Sequence, residues 1–217
     1  MALLERNERT FIFAMTQEHR TKQFIRNAAR RLFAEKGYNA VAMRDIAQSI
    51  GKQPGGLYNH FASKQAILVD LMVENLERAH KAAIAPIDPD ATPLQNLEAF
   101  VRGHIHHNIE NPDDIFIAYM ELRSLEGDGA QAVMSKRDTY ESALRSILQA
   151  GHDSGAFLLT DPAIQARAIL SMLGGITVWY RQTGPQSPAD ITECYVRAAL
   201  QSVGAPYSPP TKRPNDV

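Results

Sequence analysis

Apolar residues along this chain fall at intervals of three and four, and no stretch shows the strict alternation of a half-buried strand. Phe24, Ile25, Ala28, Ala29, Leu32 and Phe33 share one face of a helix, with Arg26, Arg30 and Arg31 directed elsewhere. Gly37 ends that pattern as a left-handed residue just past the helix. A second run, from about Met43 to Ile50, stops at Gly51. A third, about Pro54 to His60, is short and starts with a proline suited to the first helical position. Ser63 is placed to cap a fourth, from about Lys64 to Ala85. The proline-rich segment 86–93 interrupts the pattern. Beyond it the spacing predicts helices over about 93–110, 114–125, 130–154, 162–182 and 188–203. Thr92-Pro93, Asp161-Pro162 and Ser187-Pro188 each set a capping residue before a proline, marking three of those starts. The expected fold class is all-α, with about nine helices.

Composition bounds the class. The chain has 217 residues, 44% hydrophobic and 22% charged, which is ordinary for a globular protein. Its single cysteine, Cys194, cannot form an intrachain disulfide and is expected in the core. No apolar run approaches the roughly 20 residues of a membrane helix, and Phe11–Met15 is too short for a signal-peptide core. The expected location is the cytoplasm, with no membrane partner. Met15 directly precedes the first strong helical pattern, so residues 1–16 are expected to be an extension or flexible arm. The tail 205–217 is too rich in proline to continue a helix and is expected to be disordered.

Charge divides the chain. Residues 1–64 carry eleven Lys/Arg against five Asp/Glu, whereas residues 65–217 carry twelve against nineteen. A basic end on a nearly neutral protein suits a nucleic-acid-binding unit joined to something else.

The stretch Gly37 to Lys64 reads as helix, tight turn, short helix. Ile46, Ala47, Ile50, Leu57 and Phe61 have the spacing to pack the pair onto the first helix. Gly51 permits the turn, and Gly55 and Gly56 leave the short helix bare for a close approach. Tyr58, His60 and Lys64 offer a phenol, an imidazole and an ammonium beside a helix start, all suited to phosphate.

These residues resemble the DNA-binding domain of the TetR family of transcriptional regulators. The resemblance rests on Arg31-Leu32-Phe33-Ala34-Glu35-Lys36-Gly37-Tyr38, Met43-Arg44-Asp45-Ile46-Ala47, Gly51, Leu57-Tyr58-Asn59-His60-Phe61 and Ser63-Lys64, covering about residues 20–70. It implies a helix-turn-helix domain over 17–64 and a ligand-binding and dimerisation domain over 65–204. Tyr58, His60 and Lys64 would contact phosphates, and Arg44 would also touch DNA. Lys52, Gln53, Pro54, Gly55 and Asn59 would face the groove, with Asn59 the best base reader because a carboxamide pairs bidentately with adenine. Two positions depart from the family. Ala42 stands where Ser or Thr completes a cap with the acid at Asp45, so the second helix is expected to start loosely. Lys52 replaces an apolar anchor of the turn, its stem substituting while its charge turns outward.

The resemblance implies a ligand-responsive regulator, commonly a repressor, acting as a homodimer on a palindromic operator. Ile169, Met172, Leu173, Ile176 and Trp179 would form one dimer face, and Ile191, Tyr195, Ala198, Ala199 and Val203 another, with Gly174-Gly175 allowing close helix approach. The segments 120–125, 136–141, 151–157 and 179–184 are similar to the TetR branch that senses acyl-CoA thioesters in fatty-acid, steroid or aromatic-acid catabolism. Phe100, Phe116, Tyr119, Met120, Tyr140 and Met172 would line an apolar cavity, with His104 beside them. Arg123 and Arg137 would take phosphate groups, unless they pair with Glu121 or Glu141. His104 and His107 share a helix face from which His106 points away. They are expected on a solvated face rather than around a metal.

No GxSxG, P-loop, GxGxxG or HExxH motif is present, so neither an enzyme nor a cofactor is expected. The alternatives are a same-fold regulator sensing drugs or a metal, and a helical enzyme or interaction module that does not bind DNA.

Overall fold

The computed structural model describes the backbone of residues 2–207 and the side chains of residues 18–207. Among them lie ten α-helices and one 3-10 turn, and no strand. The helices are α1 (Ala2–Lys36), α2 (Met43–Ser49), α3 (Pro54–Tyr58), α4 (Lys64–Ala83), α5 (Pro93–Glu110), α6 (Pro112–Met120), α7 (Gly127–Asp153), α8 (Pro162–Gly174), α9 (Ile176–Trp179) and α10 (Pro188–Ser202). The 3-10 turn, Leu122–Ser124, follows α6. No helix among the described residues is long and apolar enough to cross a membrane.

The predicted starts at Ser63, Thr92, Asp161 and Ser187 are all capped by those side chains, each accepting a first-turn backbone N–H. Such caps contribute about 1 kcal/mol each. Two predicted helices are divided. The run 114–125 begins earlier, at Pro112, and leaves α-geometry at Glu121 before the 3-10 turn. The run 162–182 breaks at Gly174-Gly175, a pair with poor helix propensity. Gly174 serves a side chain rather than a helix: a Cβ there would lie 2.3 Å from the Tyr119 hydroxyl.

Two hydrophobic clusters form. The first joins Ile25, Ala29, Leu32 and Phe33 of α1 to Ile46, Ala47, Leu57 and Phe61, and takes in Ile67, Leu68, Leu71 and Met72 of α4. Ile117 of α6 and Val133 of α7 also enter it. The second holds Ala79 and Ala83 of α4 with the inner faces of α5, α7, α8 and α10. Helix α4 therefore starts in one core and ends in the other. Its second half lies tight against α5, where a Cβ on Gly103 would fall 2.1 Å from the Ala82 carbonyl oxygen.

Several expectations are corrected. Phe24 is 63% exposed although it shares the α1 pattern, and Cys194 is exposed rather than in the core. Ile169, Leu173, Ile176, Ile191, Ala199 and Val203, expected at a dimer face, are buried within the chain's own core. The arm expected over 1–16 continues α1 from Ala2; its side chains lie outside the described residues. Of the tail expected to be disordered, 208–217 lies outside the described residues. Its start is anchored: Ala205 is buried, and the Tyr207 hydroxyl donates to Glu193 Oε2 at 2.8 Å.

Candidate nucleic-acid interface and internal cavity

The turn between α2 and α3 forms as its glycine requires, with Gly51 at φ +65°. Leu57 is buried beneath α3, while Tyr58, Asn59, Gln53, Gly55 and Lys52 are exposed around it. Arg44 is exposed on α2 and His60 is half-buried at the exit from α3. Helix α3 ends at Tyr58, so Asn59 sits at its C-cap. The start of α2 is firmer than Ala42 suggests: Asp45 Oδ2 accepts the Ala42 N–H at 2.8 Å, and the Asp45 N–H meets the Ala42 carbonyl at 3.0 Å. Half of the usual reciprocal cap survives.

Lys64 has a second occupation. Its Nζ donates to the Tyr38 and Val41 carbonyls at 2.7 and 2.8 Å and lies 4.0 Å from the centre of the Tyr38 ring. Burial lowers its pKa from the usual lysine value. An ammonium has three donors, so these two bonds leave one N–H for a phosphate. The same turn is held from the far half of the chain. Glu121 Oε1 accepts the Tyr38 N–H at 2.9 Å, and Glu121 Oε2 accepts from the Ser124 hydroxyl at 2.9 Å. Gly37, at φ +80°, lets the backbone turn there.

A second bridge crosses at the opposite end of α6. Buried Asp114 accepts from Arg30 Nε of α1 and from a terminal guanidinium nitrogen of Arg78 of α4, both at 2.6 Å. Arg30 also reaches Glu74 at 3.3 Å, and Arg26 forms a forked pair with Asp70 at 2.5 and 3.0 Å. Lys22 adds a contact to Asp70 at 3.3 Å. Burial pushes the Asp70 carboxyl up, but Arg26 and Lys22 outweigh it and hold the group below the usual carboxylate range. Among the described residues, Lys22, Arg26 and Arg30 thus pair with acids from residues 65–217. The charge division read from the sequence is partly internal stitching.

A cavity of about 200 Å³ lies among α4, α5, α6 and α7. Its wall includes Asn75, His104, His107, Asn108, Tyr119, Arg137 and Tyr140, with Leu76, Ile115, Ala118 and Leu170 between them. His104 Nδ1 and the Tyr140 hydroxyl are 2.8 Å apart, and Phe100 stacks on His104 at 6.0 Å. His107 Nε2 meets Asn75 Oδ1 at 2.9 Å. Burial, with the neighbouring His107, pushes the His104 pKa down to about 3; burial, with Arg78, pushes His107 down to about 4. Both imidazoles are neutral at pH 7. Burial also raises Tyr140 and Tyr119 above the ordinary tyrosine value.

The expected apolar, aromatic cavity is therefore half polar. Of its expected residues, His104, Tyr119, Arg137 and Tyr140 form the wall. Phe100 packs in the core behind it, and Met172 sits partly buried against that core. Phe116 is half-buried, and Met120 and Arg123 are exposed; none of these three is in the wall. The histidines are not a solvated face: His104 and His107 are buried, and only His106 is exposed, 3.3 Å from Glu110. Among the described residues no cluster of three or more His, Cys, Asp or Glu could hold a metal. Asn75, His107 and Asn108 were missed as wall residues, as were Asp114 and Glu121 as links. The signal for the wall residues was present, because Asn75, His104, His107 and Asn108 occupy core-facing positions where a polar side chain needs a reason.

The chain matches two family models: that of bacterial regulatory proteins of the tetR family over residues 25–71, and that of the tetracyclin repressor-like C-terminal domain over 90–203. It is 37% identical to the transcriptional regulator UidR of Escherichia coli over 73 residues, 34% of this chain and only 37% of that protein. It is 26% identical to the transcriptional repressor KstR2 of Rhodococcus jostii over 183 residues, 82% of this chain and 88% of that one. A solved tetR-family regulatory protein from Rhodococcus RHA1 superposes with a TM-score of 0.81 at 28% identity, covering 86% of this chain and 98% of that one. AibR, solved with isovaleryl coenzyme A and operator DNA, has the same fold, with a TM-score of 0.76 at 22% identity over 82% of this chain and 96% of its own.

Proposed function

The chain belongs to the TetR family of bacterial regulatory proteins, and on that premise we propose that it is a cytoplasmic, homodimeric repressor released from a palindromic operator by a small acyl-type effector, such as a CoA thioester. The observation that carries this reading is the position of α6. One side of it, with Ile115, Ala118 and Tyr119, faces the cavity. Elsewhere along it, Ile117 enters the N-terminal core, Asp114 binds Arg30 and Arg78, and Glu121, just past its end, holds the Tyr38 N–H. A ligand that displaces α6 either strains those contacts or moves the DNA-binding unit with them.

In the repressing state two copies of α3 enter successive major grooves, roughly 34–36 Å apart. Arg44, Tyr58, His60 and the free N–H of Lys64 hold phosphates. Lys52, Gln53, Pro54, Gly55 and Asn59 face the groove. The outer faces of α8, α9 and α10 support a dimer: Ile164, Val178 and Trp179 are 65%, 66% and 46% exposed, and Trp179 lies parallel to Tyr195 with ring centres 6.5 Å apart. Trp179 and Tyr195 were expected there; Ile164 and Val178 take the place of the expected residues that are buried. The effector acts only through its preference for one of the two states. AibR, crystallised with a CoA thioester and its operator, supports the effector class by likeness of fold. This role needs neither a catalytic group nor a cofactor.

The direct test is a gel shift with DNA upstream of the protein's own gene at about 50 and 200 mM salt. A retarded complex that weakens sharply with salt is expected. No salt-sensitive complex with any upstream fragment overturns the regulator reading. Sedimentation of the free protein at the mass of two chains is expected alongside.

A further inference from the structure

Three buried side-chain nitrogens among the described residues lack a hydrogen-bond partner: Gln65 Nε2, Arg78 Nε and His104 Nε2. Of these residues only His104 is part of the cavity wall, and its Nε2 is itself covered. Its ring is fixed from two sides, by the Tyr140 hydroxyl on Nδ1 and by Phe100 on its face. The imidazole is neutral, so Nε2 presents either an N–H or a lone pair according to tautomer. A hydroxyl satisfies both; a methyl or ring C–H satisfies neither.

At the mouth, Arg137 lies 6.0 Å from the centre of the Tyr119 ring. The acids expected to neutralise it have other partners: Glu141, itself in the cavity wall, accepts from Arg167 at 2.9 Å, and Glu121 holds Tyr38 and Ser124. Asp138 also lines the mouth but is exposed. Next to the cavity lies a cleft of about 530 Å³, sharing Leu76 and Tyr140 as walls and lined by His80, Lys81 and Lys136. Lys136 is paired with Glu77 at 3.0 Å, whereas Lys81 adds an exposed cation. Size narrows the choice. A dry cavity of about 150 Å³ holds a benzene ring, so about 200 Å³ is the size of a benzoyl-type group.

Building on the effector reading of this cavity, we propose that its inner part takes a compact acyl group of about ten non-hydrogen atoms, bearing a hydrogen-bonding oxygen at its far end that His104 recognises. The charged end lies towards Arg137. That end is a carboxylate if the ligand is a free acid, or the phosphates of a CoA tail running into the adjoining cleft if it is a thioester.

Calorimetric titration of the full-length protein, without DNA, tests this with five probes: 4-hydroxybenzoate, benzoate, 4-hydroxybenzoyl-CoA, benzoyl-CoA and decanoyl-CoA. In the series that binds, the hydroxylated probe is expected to be tenfold or more tighter than its parent. Comparing acid with thioester identifies the source of the acyl group. In His104→Leu the hydroxyl preference is expected to fall below twofold, and in His104→Gln to recover in part. Should His104→Leu fail to fold, Tyr140→Phe, which frees the imidazole ring, is expected to shrink the same ratio. Equal binding of hydroxylated and parent probes overturns the proposal. So does a preference unchanged in the folded variants, tightest binding by decanoyl-CoA, or no binding of any probe. A protein that shows the hydroxyl preference yet shifts no DNA refutes the regulator reading and leaves this one standing; the reverse result does the opposite.

Discussion

The DNA-facing unit and the cavity are built in opposite ways. In the first, the candidate contact side chains are outside and the scaffold is apolar: Arg44, Lys52, Tyr58 and Asn59 are exposed on or beside helices held by Ile46, Ala47, Leu57 and Phe61. In the second, the candidate side chains are inside and the core itself is interrupted by His104, His107, Asn75 and Asn108. An exposed cation costs the fold little and waits for a phosphate. A buried polar group costs free energy unless it is paired; His107 pairs with Asn75 and His104 Nδ1 with Tyr140, which leaves His104 Nε2 as the unmet demand in the wall. Changes in the two regions should therefore fail differently, the first in DNA affinity and the second in stability and ligand response.

The largest effect is expected at the junction between them. Asp114→Ala takes the shared carboxylate from the partly exposed Arg78 and from Arg30, which keeps Glu74; each lost bond to a charged group costs about 1.5–3 kcal/mol. Urea denaturation should show that loss. A loss under about 1 kcal/mol would mean that the bridge is solvated and the two regions are weakly joined.

Acid should separate the regions next. The His104 and His107 pKa values are lowered to about 3 and about 4, so above pH 6.5 both states are neutral and nothing is lost. Below 6.5 the unfolded chain takes up protons that the folded core refuses, and stability falls until the pH reaches the folded values. At pH 5 the loss is about 2 kcal/mol for His104. Chemical denaturation from pH 8 to 5 should show a decline that is roughly halved in His104→Gln, where His107 still contributes, whereas Lys52→Ala should leave it unchanged.

Within the DNA-facing unit the contrast is between holding and reading. Asn59→Ala should relax preference at one base pair, by about 1–3 kcal/mol of discrimination. Lys64→Ala should weaken binding to every sequence alike, and also loosen the turn whose Tyr38 and Val41 carbonyls it caps. Binding to a randomised operator pool tests both. If Asn59→Ala loses affinity with no change in preference, it holds rather than reads. The smallest effect is a gain: Ala42→Ser restores the hydroxyl half of the α2 cap beside Asp45 and should raise stability by about 1 kcal/mol, read as an upward shift of the denaturation midpoint.

What the sequence made legible followed the same division. Helix starts at Ser63, Thr92, Asp161 and Ser187 were readable because a cap and its first turn lie within four residues. The DNA-facing unit was readable because its groove and phosphate candidates fall within about twenty residues of one another. The cavity was not, because Asn75, His104, Tyr119 and Tyr140 meet only through the packing of four helices. Aromatic residues drew attention there, yet Phe100 turned out to be core and Met120 surface. The informative residues were polar ones on apolar stripes. The ion bridge escaped for a similar reason: Arg30 and Asp114 lie eighty-four positions apart, and each alone looks like a solvated charge.

The central claim is that α6 carries the state of the cavity to the DNA-facing unit, and Ala118→Phe tests it without needing the effector. Ala118 lies on α6 in the cavity wall and is nearly buried, so a phenyl ring there fills the space from α6 itself. Binding of fluorescent upstream DNA should weaken by tenfold or more while the helical content and the salt dependence stay as in the parent protein. DNA affinity within twofold of the parent, in a folded Ala118→Phe protein, would contradict the account.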